Sequence, residues 1–166
     1  RSNWCGPATF QSVDWADDQQ KDSQASWATD LGTTSSGTSI SAMVSLTNST
    51  TNWDQASAYV VQSVASWSSG GFLGQHQRKV GSLGRPIIEH PVLRSIYFDY
   101  LSGNYSGHFQ VGRGYDMAKA VIGIFEPFKE PDFTGYTTRT WGGHNVSVYT
   151  MLDATKADSA FQNIGL

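Results

Sequence analysis

Apolar positions at helical spacing organise the first fifty residues. Phe10, Val13 and Trp15 follow Pro7, whose missing N–H is not needed in a first helical turn, and they predict a helix running to about Asp17. A second helix is predicted over residues 23–31, with Gly32 as its stop. A third is predicted over residues 39–46, where Ile40, Met43, Val44 and Leu46 fall on one side. "AYVVQSV" (58–64) is β-branched and aromatic enough for a short strand. Residues 68–79, carrying His76, fit a helix or a loop. "GRPIIEH" reads as a strand entry, and residues 92–101 as a further helix.

The pattern changes period in the second half. "HFQVGRGY" (108–115) and "AVIGIFEP" (120–127) flank "DMAK" and predict a β-hairpin turning near Met117–Ala118. "NVSVYTM" alternates again, and a short helix is expected near 155–162. Helices first and an antiparallel sheet later define an α+β class, and the length suits one domain over 1–166.

Composition narrows the possibilities. Hydrophobic residues are 39% of the chain, enough for a packed core. The net charge of −3 and the scatter of eleven Lys and Arg residues give no electrostatic case for nucleic acid. No apolar run approaches the length of a membrane span. Charged residues are only 15% while Ser, Thr, Gly and Asn abound, a weakly charged polar surface that leads us to expect a secreted protein. No charged-then-apolar leader opens the sequence, so export implies a leader already removed or never included in this sequence. A single cysteine adds no disulfide argument. Sequons at Asn48, Asn104 and Asn145 carry little weight in so Ser/Thr-rich a chain.

That lone cysteine, Cys5 in "NWCGPATF", stands where the first helix begins. There it meets the positive end of the helix dipole and unpaired backbone N–H groups, both of which favour thiolate over thiol. The same N–H groups can hold a negative oxygen on an attacked carbonyl. Gly6 would let a substrate backbone approach, and Trp4 would form part of a substrate wall. A cysteine here also fits as a small buried core residue. A thiol nucleophile needs a base, and four histidines are available. His76 sits among polar residues and reads as exposed; His90, before Pro91, reads as structural; His144 lies in a glycine-rich loop and stays open. His108 starts a strand with one side open to a cleft. Asp116 lies eight residues along that strand, roughly 26 Å away, too far to orient it. A turn near Met117–Ala118 instead brings residues 126–128 opposite 108, which includes Glu126, unless the register slips by one. No HExxH or CxxC spacing suggests a metal, and no cofactor is expected.

"NWCGPAT", "GRPIIEH", "GHFQVGRGYD" and "FEP", in that order over residues 3 to 128, resemble the C39-like branch of the papain-like cysteine peptidases. The resemblance implies a papain-like fold in which the nucleophile's helix packs on an antiparallel sheet that carries the base. By that resemblance Cys5 matches the nucleophile, His108 the general base and Glu126 the orienting acid. Two departures stand out. The family has Asp where this chain has Glu126, so Asp116 or a nearby amide could share the third role. Its oxyanion Gln lies about six residues before the nucleophile, whereas four residues precede Cys5 here, so low activity is expected. Residues 129–166 resemble nothing specific.

These readings converge on a bacterial-type, secreted thiol protease or amide hydrolase acting through a thioester on a peptide or protein. A non-catalytic relative that binds a peptide or protein in the same cleft is the alternative. An acyl transferase that resolves the thioester with an amine is a third. Substrate preference and oligomeric state are not encoded in any pattern here.

Overall fold

The computed structural model describes residues 3–19, 22–54, 57–135 and 139–166. Helix α1 (Cys5–Asp18) buries Phe10 and Val13, whereas Trp15 faces out, so the apolar stripe is narrower than its sequence suggests. Serine hydroxyls start the next helices. Ser23 Oγ accepts from Ser26 N–H at α2 (Gln24–Asp30), and Ser39 Oγ accepts from Ala42 N–H at α3 (Ile40–Thr50). Gly32, at φ +58°, turns the chain out of α2 in a conformation that costs a glycine little.

Strand β1 (Val61–Ser63) is shorter than the 58–64 run. Helix α4 (Ser69–His76), capped by Ser68, continues into a wide turn over Gln77–Ser82. Strands β2 (Ile87–Glu89), β3 (Val92–Arg94) and β4 (Asn104–Gly107) follow. The helix expected over 92–101 is therefore absent. Leu93, Phe98 and Leu101 have helical spacing, but they reach the core from a strand followed by turns that pair β3 with β4. The hairpin forms as β5 (Gln110–Asp116) and β6 (Val121–Glu126). After the short helix α5 (Pro131–Thr134) come β7 (Gly142–Ser147), α6 (Val148–Lys156) and β8 (Asn163–Gly165). The tail helix thus starts seven residues before 155, because "VYTM" continues as helix where its alternation had suggested strand.

The main sheet runs β1-β8-β2-β5-β6-β7, with antiparallel pairing throughout. Adjacent residues of β2 show how it divides the core. Ile88 packs with Phe10, Met43 and Phe109 under α1–α3, while Ile87 packs with Phe72, Ile124 and Met151 under α4 and α6. Thr9 on α1 donates from Oγ1 to the Phe109 carbonyl at 2.8 Å, tying the start of α1 to the edge of β5. Among the described residues no helix is long and apolar enough to cross a membrane.

Candidate active site

Cys5 occupies the first position of α1, half-buried, with its own N–H and that of Gly6 at the open end of the helix. Pro7 follows, so the helix start offers no third donor there. His108 lies in the two-residue link between β4 and β5, fixed by its N–H bond to the Pro91 carbonyl at 2.9 Å. The helix start and this link meet. Burial raises the Cys5 pKa, but the hydrogen bond and charge of His108 and the N–H groups of Phe109 and Gly6 outweigh it, so the thiol lies below its ordinary range. Burial likewise pulls His108 down, yet the Glu126 carboxylate and the sulfur hold it well above the usual imidazole range. Both shifts act toward the thiolate–imidazolium form of the pair.

Glu126 ends β6 and is fully buried. His108 Nε2–H donates to Glu126 Oε1 at 2.6 Å, which leaves Nδ1 as the nitrogen facing the sulfur. Phe128 N–H donates to the same oxygen at 2.7 Å. The other oxygen accepts from Gln110 Nε2 at 2.6 Å and from the Tyr100 hydroxyl at 3.3 Å. Gln110 Nε2 also reaches the Tyr100 oxygen at 3.1 Å. A buried carboxylate held by so many donors is fixed in its direction. Sequence reasoning missed Gln110 and Tyr100. Gln110 had a signal, since it is a polar residue between the apolar Phe109 and Val111, two positions from His108 on the same face of the strand.

The remaining expected residues separate. Trp4 lines a cavity of about 410 Å³ together with Cys5, His108, Tyr105 and Phe128. Gly6 is buried against Thr38, where an added Cβ would stand 2.3 Å from the threonine Oγ1. Its small size thus serves the packing of α1 on the 33–38 turn. Asn3 donates its amide to the Thr34 carbonyl. Asp116 is half-exposed at the far end of β5, where it caps the hairpin turn by accepting from Lys119 N–H. His144 stacks on Tyr100 at 3.8 Å and bonds the Thr140 carbonyl. His76, expected at the surface, is fully buried and bonds Glu89 at 2.6 Å, because the helical i, i+4 pair Phe72 and His76 both face the core. No group of three or more His, Cys, Asp or Glu with metal-site geometry occurs among the described residues.

An antiparallel sheet packed on a helix, with an imidazole between a buried carboxylate and a sulfur at the helix tip, fits the papain-like cysteine peptidase class. The chain belongs to the Peptidase_C39 like family, whose family model matches residues 1–155, well past the motifs that end at residue 128. No curated protein matches the chain.

Proposed function

We propose that this protein is a secreted cysteine peptidase or amide hydrolase in which Cys5 is the nucleophile, His108 the general acid and base, and Glu126 the group that orients His108. The observation that carries this reading is the coupling of thiol to imidazole to buried carboxylate at the wall of a cavity. The weakly charged, polar composition supports export. The Cys5 thiolate attacks a peptide carbonyl carbon, and the carbonyl π pair moves to oxygen. The Cys5 N–H, at the helix start, holds that oxyanion. His108 then gives its Nδ1 proton to the leaving amine as the C–N bond breaks, forming the thioester. A water molecule, deprotonated by the same nitrogen, releases the acid and restores the thiolate.

Digestion of a diverse peptide mixture by the wild type and by Cys5→Ala tests this. Cuts made by the wild type alone support the reading. Identical digests from both, or no cuts from a wild type whose thiol titrates in the ordinary range, overturn it.

A further inference from the structure

Cys5 lies on the boundary of two cavities. The first contains His108. The second, about 740 Å³, contains His90, Phe109, Phe161 and the 34–39 turn, but not His108. If His108 protonates the leaving amine, the leaving group occupies the first cavity, and the acyl portion extends into the second.

We propose that the second cavity is an acyl-side subsite selecting an uncharged side chain that carries a hydrogen-bond donor, a carboxamide or hydroxyl, with His90 Nε2 as the acceptor. This rests on the acyl-transfer reading of Cys5. His90 is held on several sides. Its ring stacks on Phe109 at 4.4 Å and 15°, lies 5.2 Å from the Phe161 ring, and donates from Nδ1 to Asn163 Oδ1 at 2.9 Å. Burial, with the charge of His108 nearby, keeps its pKa below the ordinary imidazole range even though Asn163 pulls the other way, so the ring is neutral. A neutral ring that donates from Nδ1 keeps its lone pair on Nε2. That nitrogen lies beside Gly107, where a Cβ would stand 3.6 Å from it and 3.8 Å from Phe161. Glycine leaves this gap open.

The lining chemistry points the same way. Thr34, Ser36, Thr38, Ser39 and Ser106 contribute to the wall, and no Asp, Glu, Lys or Arg does among the described residues. An ionised side chain entering here would lose water without gaining an opposite charge. An aliphatic one would cover Nε2 and leave it unpaired. A carboxamide or hydroxyl satisfies it.

Peptide aldehydes provide the probe, because the thiolate adds to the aldehyde carbon and the resulting oxyanion takes a proton, giving a reversible thiohemiacetal. Gln, Met (of equal length, without a donor) and Glu are scanned through the two acyl-side positions. At one of them Gln should bind roughly two- to tenfold tighter than Met, the worth of one neutral hydrogen bond, and Glu should bind worst. In His90→Phe, which keeps an aromatic ring on Phe109, the Gln-to-Met ratio should fall toward one. Gly107→Ala, whose methyl fits at ordinary contact distances, should lower the same ratio and serves if His90→Phe does not fold. Equal binding of Gln and Met in the wild type, or a ratio unchanged in the variants, overturns the subsite alone. Failure of every aldehyde to bind overturns the acyl-transfer reading with it.

Discussion

His108 and Glu126 meet diagonally across the β5–β6 hairpin, not face to face. Val111 pairs with Phe125 and Gly112 with Ile124, so the residue opposite Glu126 is Gln110, and His108 lies two positions further along the same face. The diagonal is bridged because Gln110 pins one carboxylate oxygen while His108 takes the other. Under the proposed function Gln110 is thus a positioning residue. Gln110→Leu should lower kcat about tenfold with KM little changed, since roughly 1.4 kcal/mol of lost orientation is a factor of ten. It should also move the pH profile of Cys5 alkylation toward that of a less well paired thiol, and Gln110→Glu should not restore it, because a second carboxylate would repel Glu126. A kcat loss with an unmoved alkylation profile would mean that Gln110 matters only to folding.

Removing the imidazole tests the sign of the Cys5 shift. Burial alone raises the thiol, and His108 is the largest opposing influence. In His108→Phe the thiol should therefore titrate at or above the ordinary thiol value of about 8.5. The wild type should react with iodoacetamide well below that pH. The rate at pH 6 should drop at least tenfold in the variant. Equal rates at pH 6 would show that the helix start alone activates the sulfur.

Glu126 is longer than the aspartate that the motif resemblance led us to expect, and its reach matches the diagonal. Glu126→Asp should keep the charge yet lose the 2.6 Å contact to His108, giving an intermediate loss of activity. Glu126→Gln removes the charge that holds His108 high against burial, so the alkylation profile should shift and kcat/KM should fall on the order of a hundredfold. A fully active Glu126→Gln protein would remove Glu126 from the mechanism.

The hairpin was readable because two strand-like runs flank the short segment "DMAK" and leave few registers, and that alone brought Glu126 near His108. The position of Cys5 at a helix start was readable from Cys5–Pro7. Other features depend on tertiary neighbours. His76 is flanked by Gln75, Gln77 and Arg78, which disguise a residue whose helical phase points at the core. Residues 92–101 have helical apolar spacing, but pairing with β4 overrides it. Strand β8 is three residues long and exists because β1 and β2 sandwich it. Gly6 beside the cysteine reads as substrate access, and only the packed turn reveals Thr38 against it.

That contact gives a direct test. Gly6→Ala places a methyl 2.3 Å from Thr38 Oγ1 and 2.6 Å from its Cβ, so the turn or the helix must shift. Overpacking of this kind costs about 1–3 kcal/mol, readable as a lower Tm. Thr38→Gly removes the obstructing atoms, and the double variant should recover more stability than the two single effects predict by addition. Strict additivity would show that Gly6 and Thr38 do not press on each other.

The second buried imidazole–carboxylate pair, His76 with Glu89, lies on the α4 side of the sheet, away from Cys5. Both residues are fully buried, His76 Nδ1 bonds the Phe72 carbonyl at 2.9 Å, and Glu89 Oε2 has no partner among the described residues. Burial lowers the His76 pKa, but the charge and hydrogen bond of Glu89 more than offset this, so the folded value is raised. A raised imidazole contributes stability that is present below its unfolded pKa of about 6.5 and is lost as pH climbs through the folded value. The unfolding free energy of the wild type should therefore decline above pH 6.5 relative to that of a His76→Leu/Glu89→Leu protein, in which this titration is gone. At neutral pH His76→Leu alone should cost about 3–5 kcal/mol, because it strands a buried carboxylate, whereas the double variant should be near neutral or more stable. Parallel pH curves for wild type and double variant, measured by denaturant unfolding, would show that the pair does not change its protonation on folding.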